Sequence, residues 1–463
     1  MRALAFAVLT ARAAALPTSH QGAALQASST SSLSKENSKT ADGCVPLTNN
    51  DGNVYTAVMK IGTPSQETVV VADTGSYDFV FPDTTCADQA CAQHTRFNRI
   101  NSSTFSHFAT AGSTTSDDGQ ELCYGQGCIE VDPSYDVVQF GGSNSTPINA
   151  SVGLIVNEKL DGYYDAPYDG IMGLGKTDAT SFQTPAFLKD LNVHKFSICL
   201  GKVGGIGGRL ELNQQIAVDN GTTYVPIESI GQNAWATPMG TVGVKGSATR
   251  RTKLDENSNT TGSMTMNKGM AAIIDSGTTF MIFPTDVYDF LYDSINKGCA
   301  MSDCLTTLLA QDTCSGAVFD ALPDMMLTVG GQQLAISPSV YMGEMLVDRE
   351  ITSTDKTGGL STGYKTEVVC LPLISGDDET TDLGPLAILG MPFLRQYSTL
   401  FDRDSDKMSV AKITWGNEMC ETCPGAHQNG LIRRTHTPMR FSKLRRPNFE
   451  EWKKRGGSSK IRL

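Results

Sequence analysis

The sequence is short of the residues that most hydrolytic and redox centres use. Its 463 residues include six histidines and three tryptophans, and no His-Glu-x-x-His pair of zinc ligands occurs among them. The histidines lie far apart, at positions 20, 94, 107, 194, 427 and 436. We therefore expect most of them to be surface residues, and we expect neither a metal nor an organic cofactor.

Long apolar runs are also scarce. Residues 1–15 combine Arg2, the apolar stretch ALAFAVL and the small-residue exit ARAAA, a pattern typical of a signal peptide. An ordinary apolar N-terminus is the alternative. No other run is apolar for long enough to cross a bilayer. The sequence therefore predicts a protein of the secretory pathway without a transmembrane segment.

Basic residues are scarce through most of the chain. The sequence contains 37 Lys and Arg against 49 Asp and Glu, and its net charge is −12. From residue 424 to the end, eleven Lys or Arg accompany two Glu, so this end carries about +9 and the rest about −21. An acidic body argues against nucleic acid as a partner. For the basic tail, residues 420–463, three interpretations stay open: a solvated tail, a proprotein-processing region, or a contact for anionic surfaces.

Small and β-forming residues are abundant. The 45 glycines, together with many Ser, Thr and Val residues, favour an all-β protein with a few short helices. One helix is predicted over residues 284–299, where Val287, Phe290, Leu291 and Ile295 share a face. The polar stretch 249–269 predicts a loop. The length allows two or three domains with an ample core.

Twelve cysteines and five N-glycosylation sequons indicate an oxidising secretory route. The sequons are at Asn101, Asn144, Asn149, Asn220 and Asn259. Cys123 with Cys128, and Cys299 with Cys304, are plausible local disulfides. The pairing of Cys44, Cys199, Cys420 and Cys423 stays open. Cys420-x-x-Cys423 would also suit thiol redox chemistry or zinc, but no second such pair accompanies it, so structural disulfides are favoured.

One pattern occurs twice in the chain. Residues 72–82 read ADTGSYDFVFP, and residues 274–284 read IDSGTTFMIFP. Each copy is followed by a hydrophobic-hydrophobic-Gly triplet, within YDGIMGLG at 168–175 and within LAILGMPF at 386–393. A single Asp-Ser/Thr-Gly is ordinary turn chemistry. Two such turns, each followed by the same kind of triplet in the same order, predict two halves that fold alike.

The two repeats each contribute one aspartate, Asp73 and Asp275. If the halves pack about a pseudo-two-fold axis, these carboxyl groups meet. Like charges at close range cannot both ionise cheaply, so the pair shares one proton. One carboxyl group can then take a proton from a water molecule while the other donates to a carbonyl oxygen.

With both repeats, YDGIMGLG, FLKDLNVHKFSICLGK and the closing LGMPFLRQYSTLFDRDSDKMSVAKI in order, the sequence resembles the pepsin-like aspartic proteases. The resemblance covers roughly residues 50 to 415. It implies a bilobal all-β fold, with two pseudo-symmetric β-barrel-like lobes and a cleft between them. The implied parts are a probable prosegment at 16–42, an N-terminal lobe at 43–222 with Asp73, a C-terminal lobe at 223–419 with Asp275, and the tail at 420–463.

The resemblance also implies roles for the neighbours of the two aspartates. The residues that would support them are Thr74, Gly75, Ser76, Ser276, Gly277 and Thr278. A mobile β-hairpin, the flap, would close over the substrate with Tyr124, Gly125, Gln126 and Gly127. The family tryptophan that hydrogen-bonds the flap tyrosine falls at Val80, which has no donor. Cys123 and Cys128 bracket the flap tip, and a bridge between them would stiffen it.

Further implications concern cysteines and the prosegment. The family commonly has disulfides at the positions of Cys86 with Cys91 and of Cys314 with Cys370. Its prosegment carries basic residues that cover the active-site carboxylates. Residues 16–42 hold only Lys35 and Lys39, so a mere spacer is the alternative.

The resemblance implies an endopeptidase that is active in acid, in the extracellular space or in an acidic vacuole- or lysosome-like compartment. It would bind six to eight residues of an extended polypeptide, with apolar side chains beside the cut bond, and act as a monomer. Its own prosegment would be a possible inhibitor. The alternative is a catalytically silent pepsin-like binding or inhibitor protein. Surface adhesion through the basic tail could coexist with catalysis.

Overall fold

The structure is a computed structural model, and it describes residues 43–423 with gaps. The gaps are at 51, 109–118, 142–144, 179, 183, 202–206, 218–221, 246–259, 300, 302, 355–359, 415–419 and 421–422. The predicted signal peptide, the predicted prosegment and the tail from residue 424 onward lie outside the described residues, as do Asn144, Asn220 and Asn259. Asn101 and Asn149 are described and exposed.

The described residues are mainly β-strands, as the composition predicts. The strands of the first half are β1 (Gly43–Asn50), β2 (Val54–Ile61), β3 (Gln66–Asp73), β4 (Phe79–Pro82), β5 (Ser106–His107), β6 (Gln120–Tyr124), β7 (Gly127–Phe140), β8 (Ile148–Leu160), β9 (Gly170–Gly173), β10 (Lys195–Leu200) and β11 (Gly207–Leu212). Those of the second half are β12 (Val225–Ile227), β13 (Ala236–Lys245), β14 (Thr260–Ile274), β15 (Met281–Phe283), β16 (Met325–Val329), β17 (Gln332–Ile336), β18 (Met342–Thr354), β19 (Leu360–Pro372), β20 (Ile374–Gly376), β21 (Thr380–Thr381), β22 (Gly384–Leu389), β23 (Tyr397–Asp402) and β24 (Lys407–Lys412).

The helices are short and occur mostly in the second half. They are α1 (Phe187–Asp190), α2 (Thr285–Gly298), α3 (Cys304–Leu308), α4 (Ala317–Asp320), α5 (Pro338–Tyr341) and α6 (Met391–Gln396), with 3₁₀ turns at Cys91–Gln93, Arg99–Asn101 and Tyr163–Asp165. Helix α2 is the predicted one, and Val287, Leu291 and Ile295 are buried on its inner face. No helix of the described residues is long and apolar enough to span a membrane.

The two halves repeat one strand arrangement, which is the symmetry that the sequence repeat predicts. In the first half β3 runs parallel to β9, β9 is antiparallel to β4, and β4 runs parallel to β8. In the second half β14, β22, β15 and β20 pair in the same way. Each Asp-Ser/Thr-Gly turn therefore follows a central strand whose last apolar residues, 70–72 and 271–274, are buried, which explains the continuous apolar runs VVVA and AAII.

The halves also share strands and a core. Strand β23 pairs with β10, and β24 pairs with β12, so strands near the C-terminus extend the sheet of the first half. Beneath them, the ring of Trp235 packs against Phe196 and Phe401 with centroids 6.0 and 5.1 Å apart. Trp235 Nε1 donates to the carbonyl oxygen of Leu174 at 2.9 Å. These contacts fix the first half against the second.

One local prediction was wrong. The polar stretch 249–269 is predicted as a loop, but from Thr260 onward it belongs to β14, which pairs with β13 as an antiparallel hairpin, while residues 249–259 lie outside the described residues. The pairing supplies backbone partners to residues whose side chains are polar, so strand formation does not need the apolar alternation that the sequence lacks.

All twelve cysteines form disulfides. Four bridges join the pairs expected from sequence proximity or resemblance: Cys86–Cys91, Cys123–Cys128, Cys299–Cys304 and Cys314–Cys370. The remaining four cysteines pair as Cys44–Cys423 and Cys199–Cys420. Both cysteines of the C-x-x-C segment are thus bonded to the first half, to β1 and to β10.

Candidate active site

Asp73 and Asp275 lie at one seam between the two halves, and both are fully buried. The space around the neighbouring glycines shows how close the two carboxyl groups are. A Cβ atom added at Gly75 would lie 2.7 Å from Asp275 Oδ1, and one added at Gly277 would lie 2.7 Å from Asp73 Cγ. Each glycine thus lets the opposite carboxyl group approach its backbone, which any side chain would prevent.

Each carboxyl group is held by its own turn in the same way. Gly75 N donates to Asp73 Oδ1 at 2.9 Å, and the hydroxyl of Ser76 donates to Asp73 Oδ2. Gly277 N donates to Asp275 Oδ1 at 2.8 Å, and Thr278 Oγ1 donates to Asp275 Oδ2 at 2.5 Å. The two outer oxygens are therefore fixed, so both side chains have one defined orientation.

Thr74 and Ser276 join the two turns across the seam. Thr74 Oγ1 donates to Ile274 O at 2.8 Å and accepts from Ser276 N at 2.9 Å. Reciprocally, Ser276 Oγ donates to Ala72 O at 2.6 Å and accepts from Thr74 N at 3.0 Å. All four bonds are buried, and each half supplies one hydroxyl group. The relative position of the carboxyl groups is set by this link.

The pKa of both aspartates is raised. Burial raises the pKa of Asp73 well above its usual range, and the nearby charge of Asp275 raises it further. Burial also raises the pKa of Asp275, while the donors Thr278 and Gly277 oppose the rise. Ionisation of one group therefore disfavours ionisation of the other.

The predicted flap is a hairpin of β6 and β7 with Gly125 and Gln126 at its tip. Tyr124 pairs with Gly127, and Cys123 pairs with Cys128 and is bonded to it. Gly127 has φ +138°, and a Cβ there would collide with the Lys159 carbonyl oxygen, so only glycine fits. The charge of Asp73 acts on the Tyr124 phenol and contributes to its raised pKa, after burial and Asp78. The flap tyrosine and the carboxyl pair therefore belong to one site.

Val80 packs in the same apolar cluster as Tyr124. It offers that tyrosine no hydrogen bond, as the sequence indicates. The Tyr124 hydroxyl is buried and has no hydrogen-bond partner among the described residues.

A third buried carboxyl group lies in the first repeat and was not singled out from the sequence. Asp78 is fully buried, accepts from Ser181 N at 2.9 Å and from Ser181 Oγ at 2.7 Å, and burial raises its pKa to about 6. The sequence did contain a signal. The equivalent position of the second repeat is Phe280, so a charged residue replaces an apolar one between two otherwise similar turns.

Two segments match the sequence motifs of other enzyme classes in residue pattern but not in structure. Residues 170–177, GIMGLGKT, fit the G-x-x-x-x-G-K-T pattern of a phosphate loop. Gly173 and Gly175 pack against Ser76, Tyr77 and Asp78, and Lys176 pairs with Asp406, so the described residues 170–178 form no cradle that leads into a helix. Residues 359–363, GLSTG, fit the G-x-S-x-G pattern, but Ser361 lies within β19 rather than on a strand-to-helix turn.

Possible metal donors cluster at two places in the described residues. One group is Cys86, Asp88 and Cys91, and the other is Glu121, Cys123 and Cys128. In both groups the sulfur atoms are joined in a disulfide. Thiolate ligation is therefore not offered at either place.

Two like-folded β halves that bring one Asp-Ser/Thr-Gly turn each to a common seam define the class of bilobal aspartic proteases. Consistent with this, the family model described as eukaryotic aspartyl protease matches residues 54–413. The chain belongs to the eukaryotic aspartyl protease family.

Individual relatives are similar over most of their length. Pepsin A of Bos taurus is 29% identical over 382 residues, which cover 80% of this chain and 86% of the relative. Pepsin A of Sus scrofa is 29% identical over 379 residues, 80% of this chain and 84% of the relative. Pepsin II-1 of Oryctolagus cuniculus is 27% identical over 365 residues, 77% of this chain and 80% of the relative.

Proposed function

We propose that this protein is an aspartic-type endopeptidase that hydrolyses extended polypeptides at acidic pH. The observation that carries the proposal is the pair of buried carboxyl groups, Asp73 and Asp275, placed symmetrically at one seam with their outer oxygens fixed. Family membership supports aspartic endopeptidase activity in general.

The reaction follows from one shared proton. A water molecule bound between Asp73 and Asp275 gives a proton to the ionised carboxylate as its oxygen attacks the scissile carbonyl carbon. The protonated carboxyl group donates to the carbonyl oxygen, on which negative charge develops. The tetrahedral intermediate collapses when a proton reaches the leaving nitrogen, and the C–N bond breaks. No covalent enzyme intermediate is required.

The pH range follows from the pKa values. Because the carboxyl pKa values are raised, the singly protonated pair persists toward weakly acidic pH and is lost as the pH rises further.

We further propose a preference for apolar residues beside the scissile bond, a monomeric state, and inhibition by the prosegment at 16–42. The lobes are proposed as residues 43–222 and 223–419, and the compartment as the extracellular space or an acidic vacuole- or lysosome-like organelle.

A catalytically silent binding protein is the competing function. Such a protein has no need for a complete acid-base pair. Here both aspartates, their hydroxyl neighbours Ser76 and Thr278, and the flap residue Tyr124 are all in place, which favours the enzyme.

The deciding experiment is an activity assay of the protein, from which residues 1–42 have been removed, on an internally quenched peptide with apolar residues around the central bond. We expect turnover at pH 3 to 6 that declines toward pH 7, and complete inhibition by a statine-type compound, whose hydroxyl group occupies the place of the attacking water. Binding of the statine compound without cleavage at any pH would favour the silent protein instead.

The flap disulfide gives a second prediction. Cys123–Cys128 and Cys299–Cys304 close loops of the same length, so removing either should cost a similar stability, about 2 kcal/mol in the chain-entropy model. Only the first lies at the flap tip. We expect the double serine variant at 123 and 128 to raise KM about threefold to tenfold, because a looser hairpin pays more entropy on closing over the peptide.

The matched control is the double serine variant at 299 and 304, which should keep KM within about twofold of wild type at comparable loss of stability. Urea unfolding and steady-state kinetics measure the two effects separately. Equal KM changes in both variants would show that the bridge acts through general stability and not through the flap.

A further inference from the structure

The first repeat carries a buried acid that the fold itself does not require. Asp78 lies five residues after Asp73, and the second repeat has the buried Phe280 at the same position after Asp275. Burying a carboxyl group is costly unless its hydrogen bonds are satisfied, whereas burying a phenyl ring is favourable. The equivalent apolar position shows that the turn can be built without the acid.

The contacts of Asp78 leave it with unused hydrogen-bonding capacity. Its Oδ1 accepts from Ser181 N, and its Oδ2 accepts from Ser181 Oγ. Each carboxylate oxygen can accept two hydrogen bonds, and among the described residues each oxygen of Asp78 receives one, which leaves one position on each for a further donor. Ser181 holds the carboxyl group in place from one side only.

The flap tyrosine supplies a donor that lacks an acceptor. Tyr124 is 6% exposed, and its buried hydroxyl group has no partner among the described residues. Tyr124 belongs to the same buried apolar cluster as Val80 and Phe182. Asp78 is two residues before Val80, its partner Ser181 is adjacent to Phe182, and the charge of Asp78 acts on the Tyr124 phenol. The free hydroxyl group and the open carboxyl group thus border one cluster.

We propose that Asp78 is a positioning residue of the flap, whose carboxyl group accepts the hydrogen bond of the Tyr124 hydroxyl when the flap closes over a peptide. This inference rests on the proposed function. It supplies the acceptor for the tyrosine at a site where Val80 has no polar group. Asp78 acts through Tyr124 on substrate binding and takes no part in the proton transfers at Asp73 and Asp275.

The strength of this bond depends on pH. The pKa of Asp78 is about 6, so the carboxyl group is neutral at pH 4.5 and ionised at pH 7. Tyr77 and Tyr124 are the titratable groups on which its charge acts, while Asp73 and Tyr168 also act on the Tyr124 phenol. All the phenols stay protonated in this range, because the pKa of each tyrosine with a resolved shift is raised. A hydroxyl group bonds an ionised carboxylate about twice as strongly as a neutral one.

The test is a double-mutant cycle read by the affinity for a statine-type inhibitor over which the flap closes. Tyr124→Phe should weaken binding about threefold at pH 4.5 and about tenfold at pH 7. In the Asp78→Leu background, the same substitution should cause no further loss at either pH, since the acceptor is gone. In the Asp78→Asn background, which keeps an acceptor of the same shape, the loss should be equal at both pH values.

Asp190→Asn is the matched control. Asp190 is another acid of the first half whose pKa is raised to about 6, and it accepts a backbone bond from Ser151 N, but it is only partly buried and belongs to α1. The pH-dependent effect of Tyr124→Phe should persist unchanged in that background. Within each background, the inhibitor affinity measured without Tyr124→Phe is divided by the affinity measured with it. The pH dependence of the Asp73 and Asp275 pair itself cancels in this ratio.

The outcomes separate the inference from the proposed function. An undiminished effect of Tyr124→Phe in the Asp78→Leu background, or a pH-dependent effect in the Asp78→Asn background, overturns the role of Asp78 while cleavage by the wild type stands. A wild type that neither cleaves the quenched peptide nor binds the inhibitor overturns both. Thermal unfolding of each variant shows whether it is folded. If the Asp78→Leu variant does not fold, the result for the Asp78→Asn variant alone tests the role of Asp78.

Discussion

We expect replacement of Asp73 or Asp275 by asparagine to lower kcat/KM by at least about 10³-fold, because each substitution removes one of the two groups between which the shared proton of the proposed mechanism moves. Asparagine matches the size of aspartate and still accepts from Gly75 or Gly277 at the position of Oδ1. The loss should therefore appear in kcat, with the fold and the cleft retained.

Single-turnover kinetics on the quenched peptide measure this loss, and binding of a statine-type inhibitor reports whether the cleft is intact. Asp190→Asn, which removes another acid with a raised pKa, should leave kcat/KM within about twofold of wild type. Cleavage at a tenth of the wild-type rate or more by either seam variant would exclude the pair as the proton-transfer groups.

Removing the cross-seam hydroxyl groups with Thr74→Val and Ser276→Ala should damage stability and activity together. The two changes delete four buried hydrogen bonds and leave backbone groups of Ala72, Thr74, Ile274 and Ser276 without those partners. Each of the four orphaned groups costs about 1–3 kcal/mol, so a loss on the order of 4–12 kcal/mol is expected. A shift of the carboxyl groups should lower kcat about 10²-fold.

Ser197→Ala is the control for this pair. Ser197 Oγ also donates to a carbonyl oxygen, that of Gln214, and accepts from Ile216 N at 2.9 Å, but both partners belong to the first half. We expect a stability loss of about 1–3 kcal/mol for this variant and an unchanged kcat. If the double variant at 74 and 276 lost stability and kept its kcat, the carboxyl positions would have to be set by something other than this link.

The parts of the fold that could be predicted from the sequence are those that depend on local pattern and on repetition. Helix α2 follows from residues that are three and four positions apart. The equivalence of β3 with β14 follows from two copies of one turn, each followed by a hydrophobic-hydrophobic-Gly triplet, in β9 for the first copy and at the end of β22 for the second. Once the halves are alike, symmetry brings Asp73 and Asp275 to one seam. The pair can therefore be predicted from the sequence without knowing any interatomic distance.

The rest depends on contacts that local pattern does not encode. Which of Cys44, Cys199, Cys420 and Cys423 pair is decided by the path of the chain over more than two hundred residues. Asp78 is inconspicuous in sequence, because whether an acid is solvated or buried is settled by the neighbours that fold over it. The strand at Thr260 depends on pairing with its distant partner β13.

The bond between Cys44 and Cys423 converts almost the entire described chain into a covalent ring of 380 residues, counting both ends of a separation of 379. Hydrolysis of any one peptide bond inside that ring opens it without dividing the molecule. A chain without this bridge, once nicked by a protease, would be held together at that point by packing alone, whereas this chain stays a single covalent species until its disulfides are reduced.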